Sequence, residues 1–198
     1  MSRITAAILV GGRARRLDGQ VKALLPVGHH TILERQLAAV RAAGITEILL
    51  VGRWTTALPA DMRHVPDVVE NGGALGGLYS ALLAASTPAV FVLAGDLPFV
   101  SHALIRRLTA FIAEDVVVPR TADGWHPLCA VYRRTVALTV KRRLDRGLLR
   151  ISDLLTDLQI REIGADELAQ LDADEMLLMN VNTPDDFRRA ERHARLGR

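Results

Sequence analysis

Short apolar runs alternate with helical patterns through roughly the first 120 residues of the chain. Short β-like runs predict strands over residues 5–10, 46–51, 89–94 and 115–118, and the run "AVFVLA" at 89–94 is apolar without interruption. Apolar residues at helical spacing predict helices over residues 31–43 and 101–113. They also predict a helix whose C-terminal part lies near residues 75–86. This alternation is typical of βαβ units, in which helices cover both faces of a sheet. We therefore predict an α/β fold with a doubly wound, mostly parallel sheet.

The pattern changes after about residue 120. The segment "HPLCAVY" predicts a strand, two helical segments follow it, and "IREIG" predicts a further short strand. A basic helix is predicted from Pro184 onward, with Thr183 as its N-cap. No shift in composition divides the 198 residues, 49% of which are hydrophobic. A single domain with a substantial core is therefore expected.

A loop rich in glycine and arginine follows the first predicted strand. Its glycines and cations are Gly11, Gly12, Gly19, Arg13, Arg15, Arg16 and Lys22. Glycines let main-chain N–H groups approach an anion, and the cations supply charge that a structural turn does not need. The loop matches neither the Walker pattern nor the dinucleotide fingerprint, and a solvated basic loop is the alternative. Its length of about twenty residues favours a functional loop that binds phosphate.

Polar segments follow the ends of three predicted strands: the glycine loop, Asp96 after "VFVLAG", and "NVNTP" after residues 176–179. In a doubly wound sheet, ligands lie beyond the carboxyl ends of the strands, so these segments are expected to meet in one crevice. A lone carboxylate beside a buried strand is costly. Mg²⁺, which proteins hold by one or two carboxylates plus substrate phosphates, would stabilise Asp96. A turn or N-cap role before Pro98 is the alternative.

Three further residues carry weaker signals. Asn180 and Asn182 alternate in an extended segment and would face the same side, where one could complete a metal and phosphate shell. Turn or capping roles are the ordinary alternative for both. His126 precedes a proline and could carry a proton, bind phosphate, or only position the chain.

Charge and cysteine content narrow the function classes. The formal charge is +3 and the aromatic content is 4%, which favours small anionic ligands over nucleic acid. The single cysteine, Cys129, cannot form an internal disulfide, so we expect a cytoplasmic protein. The longest later apolar run is too short to cross a bilayer, so no membrane partner is expected.

Several motifs, taken together, resemble one known family. The segments "LVGGRARR", "KALLP", "AGDLPFV", "HPLCAVY" and "NVNTPDDF" stand in the order and approximate spacing of the molybdenum cofactor guanylyltransferases, the MobA family. The resemblance runs from about residue 5 to residue 187. It implies a Rossmann-like nucleotidyltransferase fold of the GT-A type. Residues 1–120 would then form the nucleotide-binding part, and residues 121–198 the acceptor-side part.

The resemblance also implies substrates and site residues. GTP would donate GMP to molybdenum-bound molybdopterin, and transient contacts with other molybdenum cofactor proteins are expected. By this resemblance, the nucleotide would be contacted by the segment Leu9, Val10, Gly11 and Gly12. Asp67 corresponds to a family residue that helps to recognise the nucleotide. Asp96 and Asn182 would bind Mg²⁺. Arg16 and Lys22 would neutralise phosphate charge during transfer.

The chain also departs from the family pattern. Val10 replaces an alanine, Leu17 and Asp18 stand where Met-Gly is usual, and Val21 occupies an acidic position before Lys22. One hypothesis is that Asp18 performs the work of the missing carboxylate; an exposed turn role is the alternative. A related cytidylyltransferase or sugar-phosphate nucleotidyltransferase, and a catalytically weak nucleotide-binding paralogue, remain alternative functions.

Overall fold

The computed structural model describes residues 4–10, 21–171 and 176–196. Its strands are β1 (Ile4–Leu9), β2 (Pro26–Val27), β3 (His30–Thr31), β4 (Glu47–Val51), β5 (Met62–Val65), β6 (Ala89–Ala94), β7 (Val116–Thr121), β8 (Gly124–Trp125), β9 (Cys129–Arg133) and β10 (Ile160–Ile163). Its α-helices are α1 (Ile32–Ala42), α2 (Gly73–Ala84), α3 (His102–Thr109), α4 (Ala137–Asp145), α5 (Ile151–Leu154), α6 (Ala165–Ala169) and α7 (Pro184–Arg195). Short 3₁₀ turns cover Lys22–Leu24, Arg134–Val136 and Leu155–Asp157.

The main sheet has the strand order β10-β7-β9-β6-β1-β4-β5, with β8 paired to β7. β1 lies between β4 and β6 and is parallel to both. β9 runs antiparallel to its two neighbours, β6 and β7. β2 and β3 form a separate hairpin. In this order of strands, β9 is antiparallel to the others. The predicted α/β fold with a mostly parallel sheet is confirmed.

Apolar side chains alternate between the two faces of the central strands. Ala6 and Ile8 of β1 face a core that includes residues of α1 and α3. Ala7 of the same strand faces a second core, which includes residues of α2 and α4. Because both faces of β1, β4 and β6 are covered, every position in these strands favours an apolar residue. This accounts for the uninterrupted apolar runs in the sequence.

Several predicted boundaries are confirmed by local chemistry. Thr31 caps α1 and forms a capping box with Glu34, and Gly44 follows the helix with a φ of 87°. Thr183 caps α7 in the same way with Asp186, and Pro184 is the first helical residue.

Other predicted elements differ from the structure. The predicted helix over 101–113 ends at Thr109, and "HPLCAVY" becomes a strand only from Cys129, because residues 126–129 form a turn. Residues 176–179 form a turn rather than a strand, with Met179 N–H donating to the carbonyl of Met176 at 3.1 Å. The apolar character of this segment reflects burial, since Leu178 packs in the core beside α1 and α3.

Within the described residues, we find no helix that combines the length and apolar character needed to cross a bilayer.

Candidate active site

The candidate site lies where β1 and β6 end side by side. Leu9 and Ala94, the last residues of the two strands, are register partners. The N–H of Gly95 donates to the carbonyl of Leu9 at 3.0 Å, which extends the pairing beyond the strands. A Cβ atom at Gly95 would lie 3.0 Å from that carbonyl oxygen and 3.2 Å from Val10 Cγ1. Glycine therefore permits the close approach of the two strand ends.

Asp96 occupies the turn that follows β6, and we call residues 94–97 the Asp96 turn. The N–H of Ala94 donates to the carbonyl of Leu128 at 2.7 Å, which fixes the start of this turn. The N–H of Val181 donates to the carbonyl of Asp96 at 2.9 Å. This second bond brings the segment before α7 next to the end of β6. The predicted meeting of "AGDLP" and "NVNTP" is thus present, although the segment before Asn180 is not a strand.

Lys22 joins the two segments through its side chain. Its Nζ lies 3.4 Å from Asp96 Oδ2 and also donates a hydrogen bond to Asn182 Oδ1. The side chains of Lys22 and Asp96 are 24% and 21% exposed, so the pair is shielded from water on most sides. We call these three residues the Lys22 cluster. They are distant in sequence and were each predicted as candidate site residues.

Burial sets the electrostatics of Asp96. Withdrawal from water raises the pKa of its carboxyl group, and the nearby Lys22 ammonium opposes that rise without cancelling it. The carboxylate is therefore held in an environment that does not solvate its charge well. A cation of higher charge beside Asp96 would stabilise the ionised form more strongly than the lysine does.

The geometry of the Lys22 cluster fits a hard divalent cation. A carboxylate oxygen of Asp96 and an amide oxygen of Asn182 both contact the same positive group, so they converge on one point. Oxygen ligands of these two kinds are the ones that Mg²⁺ and related ions prefer. Among the described residues, no group of three or more histidine, cysteine, aspartate or glutamate side chains could hold a metal. Phosphate oxygens of a bound nucleotide would have to complete the shell.

The N-terminus of α7 positions Asn182. Asp186 Oδ2 accepts hydrogen bonds from the N–H of Asn182 at 3.0 Å and from the N–H of Thr183 at 2.8 Å. Burial alone would raise the pKa of Asp186, but these bonds, with that of the Thr183 hydroxyl, hold it below its ordinary value. Asp186 therefore stays ionised at neutral pH. The Asp186 carboxylate holds the main chain at Asn182, whose side chain accepts the hydrogen bond from Lys22.

Leu9 and Asp67 lie together at the other side of the end of β1. A Cβ atom at Gly77 of α2 would be 3.3 Å from Leu9 Cδ1 and 3.8 Å from Asp67 Oδ1. The two side chains thus share one small patch on the surface of α2. Partial desolvation raises the pKa of Asp67. Val10 is buried, and its N–H donates to the carbonyl of Val51 at 2.8 Å.

The remaining predicted residues are placed apart from the cluster or outside the described part of the chain. Gly11, Gly12, Arg16 and Asp18 lie outside the described residues. The side chain of Asn180 is exposed.

His126 lies in the turn before β9. Its Nε2 is 2.9 Å from Thr121 Oγ1. Burial lowers the pKa of its ring, although Asp123 raises it in part, so the imidazole is neutral at pH 7. A role for His126 in proton transfer stays a prediction.

The sequence argument missed one polar residue at the site, Gln36. This side chain is 1% exposed on the sheet-facing side of α1, among positions that are otherwise mostly apolar. Its Nε2 donates to the carbonyls of Ala94 and Leu97, at 2.7 and 3.0 Å. An amide on the apolar face of a helix was a visible signal in the sequence, because buried polar groups need specific partners.

Comparisons with known proteins agree with this fold. The model of the MobA-like NTP transferase domain matches residues 6–160. The molybdenum cofactor guanylyltransferase of Desulfosudis oleivorans is 30% identical over 200 aligned residues, covering 100% of this chain and 99% of the relative. The crystal structure of molybdopterin-guanine dinucleotide biosynthesis protein A from Archaeoglobus fulgidus superposes with a TM-score of 0.80 at 25% identity, covering 97% of this chain and 99% of that one.

A second solved structure bears on metals. The Mycobacterium tuberculosis protein Rv0371c, solved in complex with manganese, has a TM-score of 0.70 and 28% identity, with 96% of this chain and 97% of that chain covered. The family match spans well over half of the chain and includes β1, β6 and the Asp96 turn. The chain belongs to the MobA-like NTP transferase family.

Proposed function

We propose that this protein transfers GMP from GTP to molybdenum-bound molybdopterin, forming the guanine dinucleotide cofactor and pyrophosphate. The observation that carries the proposal is the Lys22 cluster, in which one ammonium contacts Asp96 and Asn182 at the carboxyl end of the sheet. The names of full-length relatives supply the identity of the donor and the acceptor. The physical chemistry of the site supplies the class of reaction.

The reaction requires little covalent help from the protein. A terminal phosphate oxygen of the acceptor attacks the α-phosphorus of GTP, and a new P–O bond forms. The bond between the α-phosphorus and its bridging oxygen breaks, and pyrophosphate leaves with the electron pair. The protein's task is to hold the two phosphates in line and to neutralise their charge. No serine or cysteine nucleophile is needed.

We propose Mg²⁺ as the cofactor, with Asp96 and Asn182 as its protein ligands. When bound, Mg²⁺ would supply charge neutralisation at the phosphate oxygens. In the present structure, the Lys22 ammonium contacts the same two oxygens that are proposed to bind Mg²⁺. With Mg²⁺ and nucleotide bound, the ammonium would instead contact the neighbouring phosphate oxygens. Arg16 is proposed as a second cation at the phosphates.

The donor nucleotide is proposed to lie over the end of β1. Leu9, Val10, Gly11 and Gly12 would contact it, and Asp67, beside Leu9 on the surface of α2, would help to recognise it. Residues 1–120 would then bind the donor and residues 121–198 the acceptor. The contact between Lys22 and Asn182 brings one residue of each part together at the proposed metal and phosphate position.

Two further expectations belong to this proposal. We expect the protein to act in the cytoplasm, where a single reduced cysteine such as Cys129 is ordinary. We also expect transient contacts with other proteins of molybdenum cofactor synthesis.

A nucleotide panel tests the donor. A ligand that binds only the native state at 100 times its Kd stabilises that state by about 2.7 kcal/mol. GTP with Mg²⁺ should therefore raise the melting temperature more than CTP, ATP or UTP with Mg²⁺. A larger shift with CTP would favour the cytidylyltransferase alternative, and equal shifts with all four would contradict guanine recognition.

A further inference from the structure

Gln36 is a buried residue whose side-chain amide donates hydrogen bonds to both ends of the Asp96 turn. It lies on α1 with 1% of its surface exposed, and its Nε2 contacts the carbonyl oxygens of both Ala94 and Leu97. One of these residues ends β6 and the other directly follows Asp96. A single side chain from a different element therefore spans the turn that carries the carboxylate.

The bonds made by Gln36 complement the other anchors of the turn. The N–H groups of Ala94 and Gly95 are bonded to Leu128 and Leu9, and the carbonyl of Asp96 is bonded to Val181. Without Gln36, the buried carbonyls of Ala94 and Leu97 would each lose this donor. A turn that lacks these two bonds would have more freedom to change its main-chain angles, and the Asp96 carboxylate would move with it.

Burying the amide of Gln36 has a cost in folding free energy. Its Oε1 is buried and forms no hydrogen bond among the described residues. A buried polar atom without a partner costs free energy, and an apolar side chain at this position would instead leave the buried carbonyl oxygens of Ala94 and Leu97 without the Nε2 donor. The amide therefore leaves one acceptor unpaired and pairs two others, and both of the paired carbonyls belong to the Asp96 turn.

We propose that Gln36 is a positioning residue that fixes the Asp96 turn so that its carboxylate meets Asn182 at the metal and phosphate position. This inference rests on the proposed function for the metal, but the positioning itself is a property of the metal-free protein. Residues that orient a ligand from outside the coordination shell commonly change metal affinity by about 10- to 100-fold when they are replaced.

Gln36→Met is the main test variant, because methionine has a similar length and suits an apolar core. Gln36→Leu serves as a second variant in case one substitution disturbs folding. Thr5→Val is the matched control. Thr5 is also fully buried, and its hydroxyl contacts Glu47 at 2.6 Å and Thr87 at 2.7 Å, at the opposite end of β1 from the Asp96 turn.

Two measurements test whether Gln36 fixes the Asp96 turn and whether this changes metal binding. The first is hydrogen exchange in the metal-free proteins: Gln36→Met should accelerate exchange of the Gly95 and Val181 amides by about 10-fold or more relative to wild type, while amides of β4 keep their rates. The second is the Kd for Mn²⁺ in the presence of GTP, which should rise by about 10-fold in Gln36→Met and stay unchanged in Thr5→Val.

Unchanged exchange at Gly95 and Val181 in both Gln36 variants would overturn the positioning role. Accelerated exchange with an unchanged Kd for Mn²⁺ would overturn the link to the metal position. A wild-type protein that binds no Mn²⁺ with GTP would contradict the proposed function, and the exchange result would still decide whether Gln36 holds the turn.

Discussion

At the scale of single residues, Asp96 shows that a residue proposed for function lowers the stability of the fold. Its carboxyl group is largely buried, and the Lys22 ammonium compensates only part of the cost of desolvation. Charged groups in such surroundings are retained where they act on a ligand, and their replacement often stabilises the protein. Activity and stability are therefore expected to change in opposite directions when Asp96 is replaced.

Asp96→Asn should raise the melting temperature of the metal-free protein at pH 7.5 and abolish transfer. A carboxyl whose folded-state pKa is raised gives its full stabilisation below the unfolded-state value of about 3.9, and this contribution is lost as pH rises through the folded-state pKa. At pH 7.5 the charged form is thus the costly one, and asparagine removes it. Calorimetry with EDTA at pH 7.5 and at pH 3.5 measures the gain, which should vanish at the lower pH.

Pyrophosphate release at matched Mg²⁺ checks the activity of the same variant, and transfer should be lost because the proposed carboxylate ligand is gone. Near-wild-type turnover would refute the metal assignment. A lower melting temperature at pH 7.5 would refute the electrostatic argument.

Lys22→Met should raise the KM for GTP by about 10- to 100-fold, corresponding to about 1.4–2.7 kcal/mol of lost phosphate binding. Lys141→Met is a natural control, since Lys141 is the only other lysine in the chain and pairs with Asp145 on the surface of α4. Initial-rate kinetics with varied GTP measure the change. Equal KM values for the two variants would exclude Lys22 from the donor site.

At the scale of elements, the sequence predicted those strands and helices whose patterns are long. β6 is apolar throughout, and β1 and β4 are apolar except for Thr5 and Glu47 near their starts, because both faces of these strands are covered; this pattern is easily distinguished from a loop. β2, β3, β5 and β8 were missed. β2, β3 and β8 have two residues each and carry no periodicity, and β5 has the exposed polar residues Arg63 and His64 between its apolar ends.

Residues 176–179 illustrate the limit of burial as a signal. They were expected to form a strand, but the segment is apolar because Leu177 and Leu178 pack in the core beside α1 and α3. An apolar run reports burial and does not by itself report pairing within a sheet.

The N-terminus of α7 offers a test at this scale. Thr183→Ala removes a cap and should lower the free energy of unfolding by about 1 kcal/mol. It should also weaken Mn²⁺ binding with GTP by a few-fold, because Thr183 is adjacent to Asn182 and shares Asp186 with it.

Ser101→Ala is the matched control for this prediction, because Ser101 caps α3 through a hydrogen bond from Leu104 N–H at 3.2 Å. Urea unfolding should give similar losses for the two variants, and only Thr183→Ala should change metal binding. Equal metal affinities would show that the cap serves stability alone.

At the scale of the whole molecule, topology brings the two ends of the chain to one site. The parallel arrangement of β1 and β6 places the end of β1 and the Asp96 turn at the same edge of the sheet, as the sequence predicted for these two strand ends. The position of Asn182 depends in addition on a small core that contains Val27 of the hairpin, Ile32 of α1 and Ala190 of α7.

That small core could not be predicted from the sequence. Its residues come from segments that are distant in the chain, and their packing partners leave no periodic signal. The sequence could therefore name Lys22, Asp96 and Asn182 as candidates from their local surroundings and motifs. Only the folded chain shows that a single ammonium contacts both oxygens.

The central claim is that the Lys22 cluster supports guanylyl transfer, and a transfer assay tests it most directly. Purified protein would be incubated with Mg²⁺, molybdenum-bound molybdopterin and each of the four nucleoside triphosphates, and the dinucleotide product would be quantified by mass spectrometry. The account predicts efficient formation of the guanine dinucleotide from GTP alone, its loss in Asp96→Asn, and, at GTP concentrations below the wild-type KM, slower formation in Lys22→Met than in Lys141→Met. Product from CTP in preference to GTP, no product from any nucleotide, or full activity in the Asp96 variant would contradict it.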